Sequence, residues 1–176
     1  MKIFISGGCK NGKSYYAQRL AKEQVGELYY VATMIPTDRE DEARIERHIE
    51  DRRGWGFTTI EESKNIANIT KYQGSFLVDS ITALLANVMF QQEINLNASE
   101  IIIKDLEKVL AQSENIVFVS DYIYSDSYIY DEYTEAYRKS LGKIDRYLAE
   151  QCHVVIEVAY TSIIIHKGEY EFKKIF

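Results

Sequence analysis

Apolar residues fall along this chain in short runs separated by longer segments of mixed polarity. Ile3-Phe4-Ile5, Leu28 to Ala32, Phe76-Leu77-Val78, Ile116 to Val119 and Val154 to Val158 are runs of three to five residues. They are rich in β-branched and aromatic side chains and too short for helices, as strands buried on both faces require. Between them the period changes. Tyr15, Tyr16, Arg19, Leu20 and Glu23 run without a breaker as far as Gly26. Ile81 to Gln91 is apolar enough for a buried helix. Ile101, Ile102, Leu106, Val109 and Leu110 recur at helical spacing, as do Arg138, Leu141, Ile144, Tyr147 and Leu148. Strand alternating with helix predicts an α/β fold, a mostly parallel sheet with helices on both faces. Four local features accompany this pattern. Asn97 caps a helix, with Glu100 reaching back to it. Thr58 to Glu62 is an exposed segment or short edge strand, and Ile66 to Thr70 a short helix. Ile163-Ile164-Ile165, with Gly168 and Tyr170-Glu171-Phe172, forms a terminal hairpin.

The chemistry starts where the first run ends. Gly7-Gly8-Cys9-Lys10-Asn11-Gly12-Lys13-Ser14 fits G-x-x-x-x-G-K-[ST] between a predicted strand and a predicted helix, so the fold class sharpens to P-loop NTPase-like. A polyphosphate needs donors from several sides at short range. A loop with glycines at Gly7, Gly8 and Gly12 lets its backbone N–H groups converge on one oxygen cluster. Lys13 adds a mobile positive charge. Ser14, just inside the helix, offers a hydroxyl to the Mg2+ that accompanies a nucleotide, and the helix N-terminus adds partial positive charge.

Other candidates lie at the ends of later strands. Ala32, Thr33 and Met34 close the second run, and in open α/β sheets ligands gather at that edge. Asp38 to Arg53 is a charged helical segment, acidic first and basic last, with Ala43, Ile45 and Ile49 as a thin apolar line. At helical spacing Arg44, His48 and Arg52 share one face. Such surroundings are electropositive, keep a lone pair on the His48 ring available, and suit the two arginines to phosphate. The plainer reading is a solvated helix with a surface histidine. Asp79 closes its run with a carboxylate, the pattern of a strand beside the phosphate loop that helps hold magnesium, or else of a residue capping the next helix. Six tyrosines crowd Tyr122 to Tyr137, fitted to a large ligand, to a subunit contact, or to capping the core.

Composition narrows the class. The 176 residues carry a net charge of −6, with 46% hydrophobic residues. This fits one domain spanning residues 1–176 and leaves no basic stripe for nucleic acid. Cys9 and Cys152 show neither metal spacing nor a disulfide framework and suit a reducing cytoplasm. No run is long enough for a membrane span or signal peptide.

Several stretches together resemble the bifunctional adenosylcobinamide kinase / adenosylcobinamide-phosphate guanylyltransferases of cobalamin biosynthesis. They are Ile5-Ser6-Gly7-Gly8 with Gly12-Lys13-Ser14, Tyr30-Val31-Ala32-Thr33, Ala43-Arg44-Ile45-Glu46-Arg47-His48, Thr59-Ile60-Glu61 and Val78-Asp79-Ser80-Ile81-Thr82. The resemblance implies two reactions, in which ATP or GTP phosphorylates the corrinoid's hydroxyl and GMP from GTP then reaches the corrinoid phosphate through a guanylylated histidine. It places His48 as nucleophile, Lys13 in catalysis, and Glu61 and Asp79 with the other nucleotide-binding residues. It also implies a homo-oligomer, typically a trimer. The chain departs from the family pattern at Lys10, where arginine is usual, at Ser120 to Asp126, where an Asn-Glu pair and glycines are usual, and at Ala159 to Ser162, where a Gly-containing turn is usual. Beside this reading stand a single-step small-molecule kinase of the same fold and a nucleotide-responsive binding module.

Overall fold

The computed structural model describes residues 1–91 and 93–174. In chain order its elements are β1 (Lys2–Gly7), α1 (Lys13–Lys22), β2 (Leu28–Ala32), α2 (Arg39–Asp51), β3 (Phe57–Glu61), a 3-10 turn (Ile66–Lys71), β4 (Ser75–Asp79), α3 (Ile81–Met89), α4 (Ala98–Gln112), β5 (Asn115–Val119), α5 (Glu132–Gln151), β6 (Val154–Ala159), β7 (Ser162–Lys167) and α6 (Glu169–Phe172). The strands form one seven-stranded sheet in the order β3-β2-β4-β5-β1-β6-β7. Every pairing is parallel except that of β6 with β7. The mostly parallel sheet expected from the alternating runs is present.

Successive residues of each strand serve opposite layers, which is why the central runs are apolar without a break. Phe4, Val31, Phe76, Val78, Ile116 and Phe118 pack with α3, α4 and α5. Ile3, Ile5, Leu77, Val117, Val119 and Ile156 pack with Ala17, Leu20 and Ala21 of α1 and Phe172 of α6. Thus β1 leads into a helix on one face and β5 into a helix on the other. Neighbouring strands whose connections part in this way leave a crevice beyond their carboxyl ends, where such sheets bind ligands.

Four local expectations change. The strand carrying Asp79 is not beside the phosphate-loop strand, because β5 lies between β4 and β1. Strand order is set by long-range pairing, which a local run does not encode. Asp79 does not cap α3 either, since Ser80 does so, its hydroxyl accepting from the Ala83 N–H. Asn97 makes no side-chain cap, and Glu100 turns instead to Lys143 and Ser99. An ammonium outbids a backbone N–H for a carboxylate because both partners are charged. Finally, the hairpin is formed by β6 with β7, and Tyr170 to Phe172 is one helical turn after Gly168, whose φ is +78°.

Candidate active site

The phosphate loop is held in shape from both ends. Gly12 precedes α1 with φ +92°, a left-handed conformation that glycine adopts without a Cβ penalty. Gly7, at φ +154°, has no room for a Cβ, which would collide with the Val158 carbonyl and the Asn11 side-chain amide. Those two groups are themselves hydrogen-bonded, Asn11 donating to Val158, so the loop is pinned to the end of β6. The Asn11 carbonyl oxygen in turn accepts the Lys13 N–H at 3.2 Å. Lys13 is only 6% exposed, and its ammonium donates to the Gly8 carbonyl at 2.7 Å and to Asp121 Oδ1 at 2.6 Å. Cys9 and Lys10 are exposed.

A cavity of about 570 Å³ opens at the carboxyl edge of the sheet. Ala32 and Met34 line it from the end of β2, Arg44, His48 and Arg52 from α2 and its C-cap, Glu61 from β3, Asp79 from β4 and Asp121 from beyond β5. The structure therefore brings His48, both arginines, Glu61 and Asp79 into one space; helical spacing anticipates only the shared face of Arg44, His48 and Arg52. Thr33 is close but buried, and works structurally. Its hydroxyl donates to the Ser80 carbonyl at 2.8 Å and accepts the Ser80 N–H at 2.7 Å, fixing β2 to β4 beside the cis Asp79–Ser80 peptide.

His48 is not surrounded by arginines alone. Its Nδ1 lies 3.8 Å from Asp79 Oδ2, an orientation that leaves Nε2 as the ring nitrogen turned away from the carboxylate. The same Asp79 oxygen accepts from the Tyr30 hydroxyl at 3.0 Å, and burial together with that carboxylate raises the Tyr30 phenol above its ordinary value. Arg52 is buried, with its guanidinium on the Tyr30 ring and one nitrogen donating to Thr59 at 3.2 Å. Arg44 stays exposed at the cavity rim, and α2 buries none of its residues.

Sequence reading gave no role to two contributors, Asp121 and Tyr30. Asp121 follows a strand just as Asp79 does, and that shared pattern is the signal that points to it. Tyr30 carries none, being one apolar-looking position within a strand. Tyr137, one of the six tyrosines singled out in the sequence, lines the cavity and donates to the Thr82 carbonyl at 2.8 Å; Tyr122, Tyr124, Tyr128 and Tyr130 lie on a loop gathered by the Arg138 guanidinium, and Tyr133 is in the first turn of α5. That guanidinium donates to the carbonyls of Ile123, Asp126 and Tyr128 and to the carboxylates of Asp126 and Glu135.

Among solved structures, one from Pyrococcus horikoshii OT3 superposes with a TM-score of 0.54 at 12% identity, covering 96% of this chain and 86% of that one. An ATPase of the type III secretion system of pathogenic bacteria superposes with a TM-score of 0.51 at 12% identity, covering 90% of this chain and 51% of that one. At such identities the likeness is one of fold. In sequence, the bifunctional adenosylcobalamin biosynthesis protein CobP of Pseudomonas aeruginosa is 34% identical over 93 residues, 51% of this chain and 53% of that protein, so the match spans about half the relative's length. No helix among the described residues is long and apolar enough to cross a membrane. The family described as cobinamide kinase / cobinamide phosphate guanyltransferase matches residues 3–162, from the first strand to the last hairpin turn, and the chain belongs to that family.

Proposed function

We propose that the protein carries out both family reactions at this cavity, phosphorylating adenosylcobinamide with ATP or GTP and then transferring GMP from GTP to the corrinoid phosphate through His48. The observation that carries the reading is that one cavity is shared by His48 with its Asp79 partner and by Asp121, which touches the phosphate-loop lysine. In the guanylyl step Nε2 of His48 bonds to the α-phosphorus, the bond to the bridging oxygen breaks, and pyrophosphate leaves with the electron pair. An oxygen of the corrinoid phosphate then displaces the imidazole. Asp79 holds the ring and offsets the positive charge it acquires, while Arg44 at the rim meets phosphate oxygens.

Mg2+ belongs to the same reading, with Ser14 and Asp79 as its protein ligands. No group of three or more His, Cys, Asp or Glu side chains able to hold a metal exists among the described residues. Magnesium takes one or two protein oxygens and completes its shell with phosphate and water, and the Ser14 hydroxyl and the Asp79 carboxylate would supply those two. When bound it neutralises charge on the phosphate oxygens. A single domain spanning the chain and a trimeric assembly complete the proposal, the latter open to light scattering.

The test uses GTP labelled at the α-phosphate. The protein should acquire an acid-labile, base-stable label, as a phosphoramidate does, and His48→Ala should lose it while still phosphorylating cobinamide. A parent that phosphorylates cobinamide but takes no label leaves a single-step kinase.

A further inference from the structure

Phosphorylating a hydroxyl requires that its proton leave, and the cavity holds few groups free to take it. His48 is assigned to the guanylyl step. Asp79 already accepts from Tyr30 and faces His48. Glu61 ends the edge strand β3, three strands away from β5. Asp121 remains, and its position follows from the sheet. Val119 is in register with Asp79 on one side and with Ile5 on the other, so Asp121 stands two residues past the strand end, between the cavity and the phosphate loop.

The backbone around it is fixed on three sides. The Ser120 N–H donates to Ile5 at 2.9 Å, the Tyr122 N–H to Gly7 at 3.3 Å, and the Asp121 N–H to the Thr82 hydroxyl at 2.8 Å. Its side chain is 18% exposed, lines the cavity and lies 2.6 Å from the Lys13 ammonium. A carboxylate in contact with the lysine that follows the terminal phosphate is itself within reach of that phosphate's attacker.

We propose that Asp121 is the general base of the kinase step. This rests on the reading given above. With nucleotide bound, Lys13 turns from Asp121 to the phosphate oxygens and leaves the carboxylate free. The acceptor hydroxyl oxygen bonds to the γ-phosphorus, its proton passes to the Asp121 carboxylate, and the bond from the γ-phosphorus to the bridging oxygen breaks. The nucleoside diphosphate leaves with that electron pair. Before nucleotide arrives the same carboxylate keeps Lys13 pointed into the loop.

The experiment compares Asp121→Asn with the parent in two assays, cobinamide phosphorylation and labelling by α-labelled GTP. Asn keeps the shape and loses the base. Phosphorylation kcat should fall about 10²-fold or more, the range of a lost general base. The nucleotide KM should hold within a few-fold, and the label should still form, which also certifies the fold. Asp121→Glu should recover part of the kinase rate. If both activities fall together, Asp121 acts only through Lys13, and the inference is overturned. It is also overturned if an active parent stands beside an equally active Asp121→Asn. A parent inert toward cobinamide with either nucleotide sinks the proposed function itself, and the base with it.

Discussion

The Arg52 guanidinium lies over the Tyr30 ring, 3.9 Å from its centre, so a charged group that reads as a phosphate ligand is spent on holding a phenol. That phenol donates to Asp79, and Asp79 faces His48. A cation over an aromatic face is worth up to about 2 kcal/mol when desolvated, enough to seat the ring firmly.

Tyr30→Phe therefore keeps the stacking and removes only the hydrogen bond. Stability should change by about 1 kcal/mol. The proposed guanylylation of His48 should slow, because Asp79 loses the donor that orients it. A labelling time course checks this, and an unchanged rate would show that Asp79 is positioned by its backbone alone.

Lys13→Ala should abolish both proposed activities, since each chemistry gathers charge on phosphate oxygens that this ammonium is placed to follow. The change also leaves Asp121 without its cationic partner. Full turnover in this variant, measured with either nucleotide, would put the phosphates elsewhere.

Arg138→Met should loosen the tyrosine loop. Arg138 is 7% exposed, and its guanidinium serves three carbonyls and two carboxylates spread over residues 123–135. Removing one partner of a buried charged network costs about 3 kcal/mol, and each of those lowers Tm by about 2–4 °C in a protein of this size. Limited chymotrypsin digestion should cut first at the exposed Tyr128 to Tyr133 region. A parental digestion pattern would assign the loop's order to its own turns.

Asp145 makes stability pH-dependent. Burial, with a smaller repulsion from Asp121, lifts its carboxyl from the ordinary 3.8 to about 7, against the pull of hydrogen bonds from Ser120 and Tyr124. Its Oδ1 is buried without a hydrogen-bond partner among the described residues, a further reason to hold the neutral form. Between about pH 4 and 7 the folded protein keeps a proton that the unfolded chain has lost. Stability should thus fall as pH rises through that window, by on the order of 4 kcal/mol, and level off above it. Asp145→Asn should flatten the curve, as denaturant titrations at pH 5 and 8 will show. Equal slopes in parent and variant would mean the carboxyl is ionised throughout.

What the sequence shows plainly is what short stretches decide. The runs of apolar residues give the central strands to within a residue or two, and the glycines and lysine of the phosphate loop lie together in the chain. The face shared by Arg44, His48 and Arg52 is legible for the same reason, since a helix fixes it through spacing alone. Asp121 escapes notice because its importance comes from β5 lying beside β1, and its lysine is 108 residues away. Glu100 misleads because the cap pattern says nothing of Lys143, which arrives from α5. Arg138 reads as a position on an amphipathic helix, and only the folded loop reveals how many acceptors surround it.

Strand β1 precedes in the chain both strands that it pairs with. Lys2 pairs with Ile116 and Ile3 with Val154, so β1 has no neighbour until most of the chain exists, and Asn11 has no anchor until Val158 does. On a ribosome adding about 5–20 residues per second, the loop sequence emerges at once and waits many seconds for the sheet that shapes it. Until β6 arrives the phosphate loop lacks the Val158 carbonyl that anchors Asn11. A chain cut after β5 would thus contain every residue of the phosphate loop and still lack the strand that pins it.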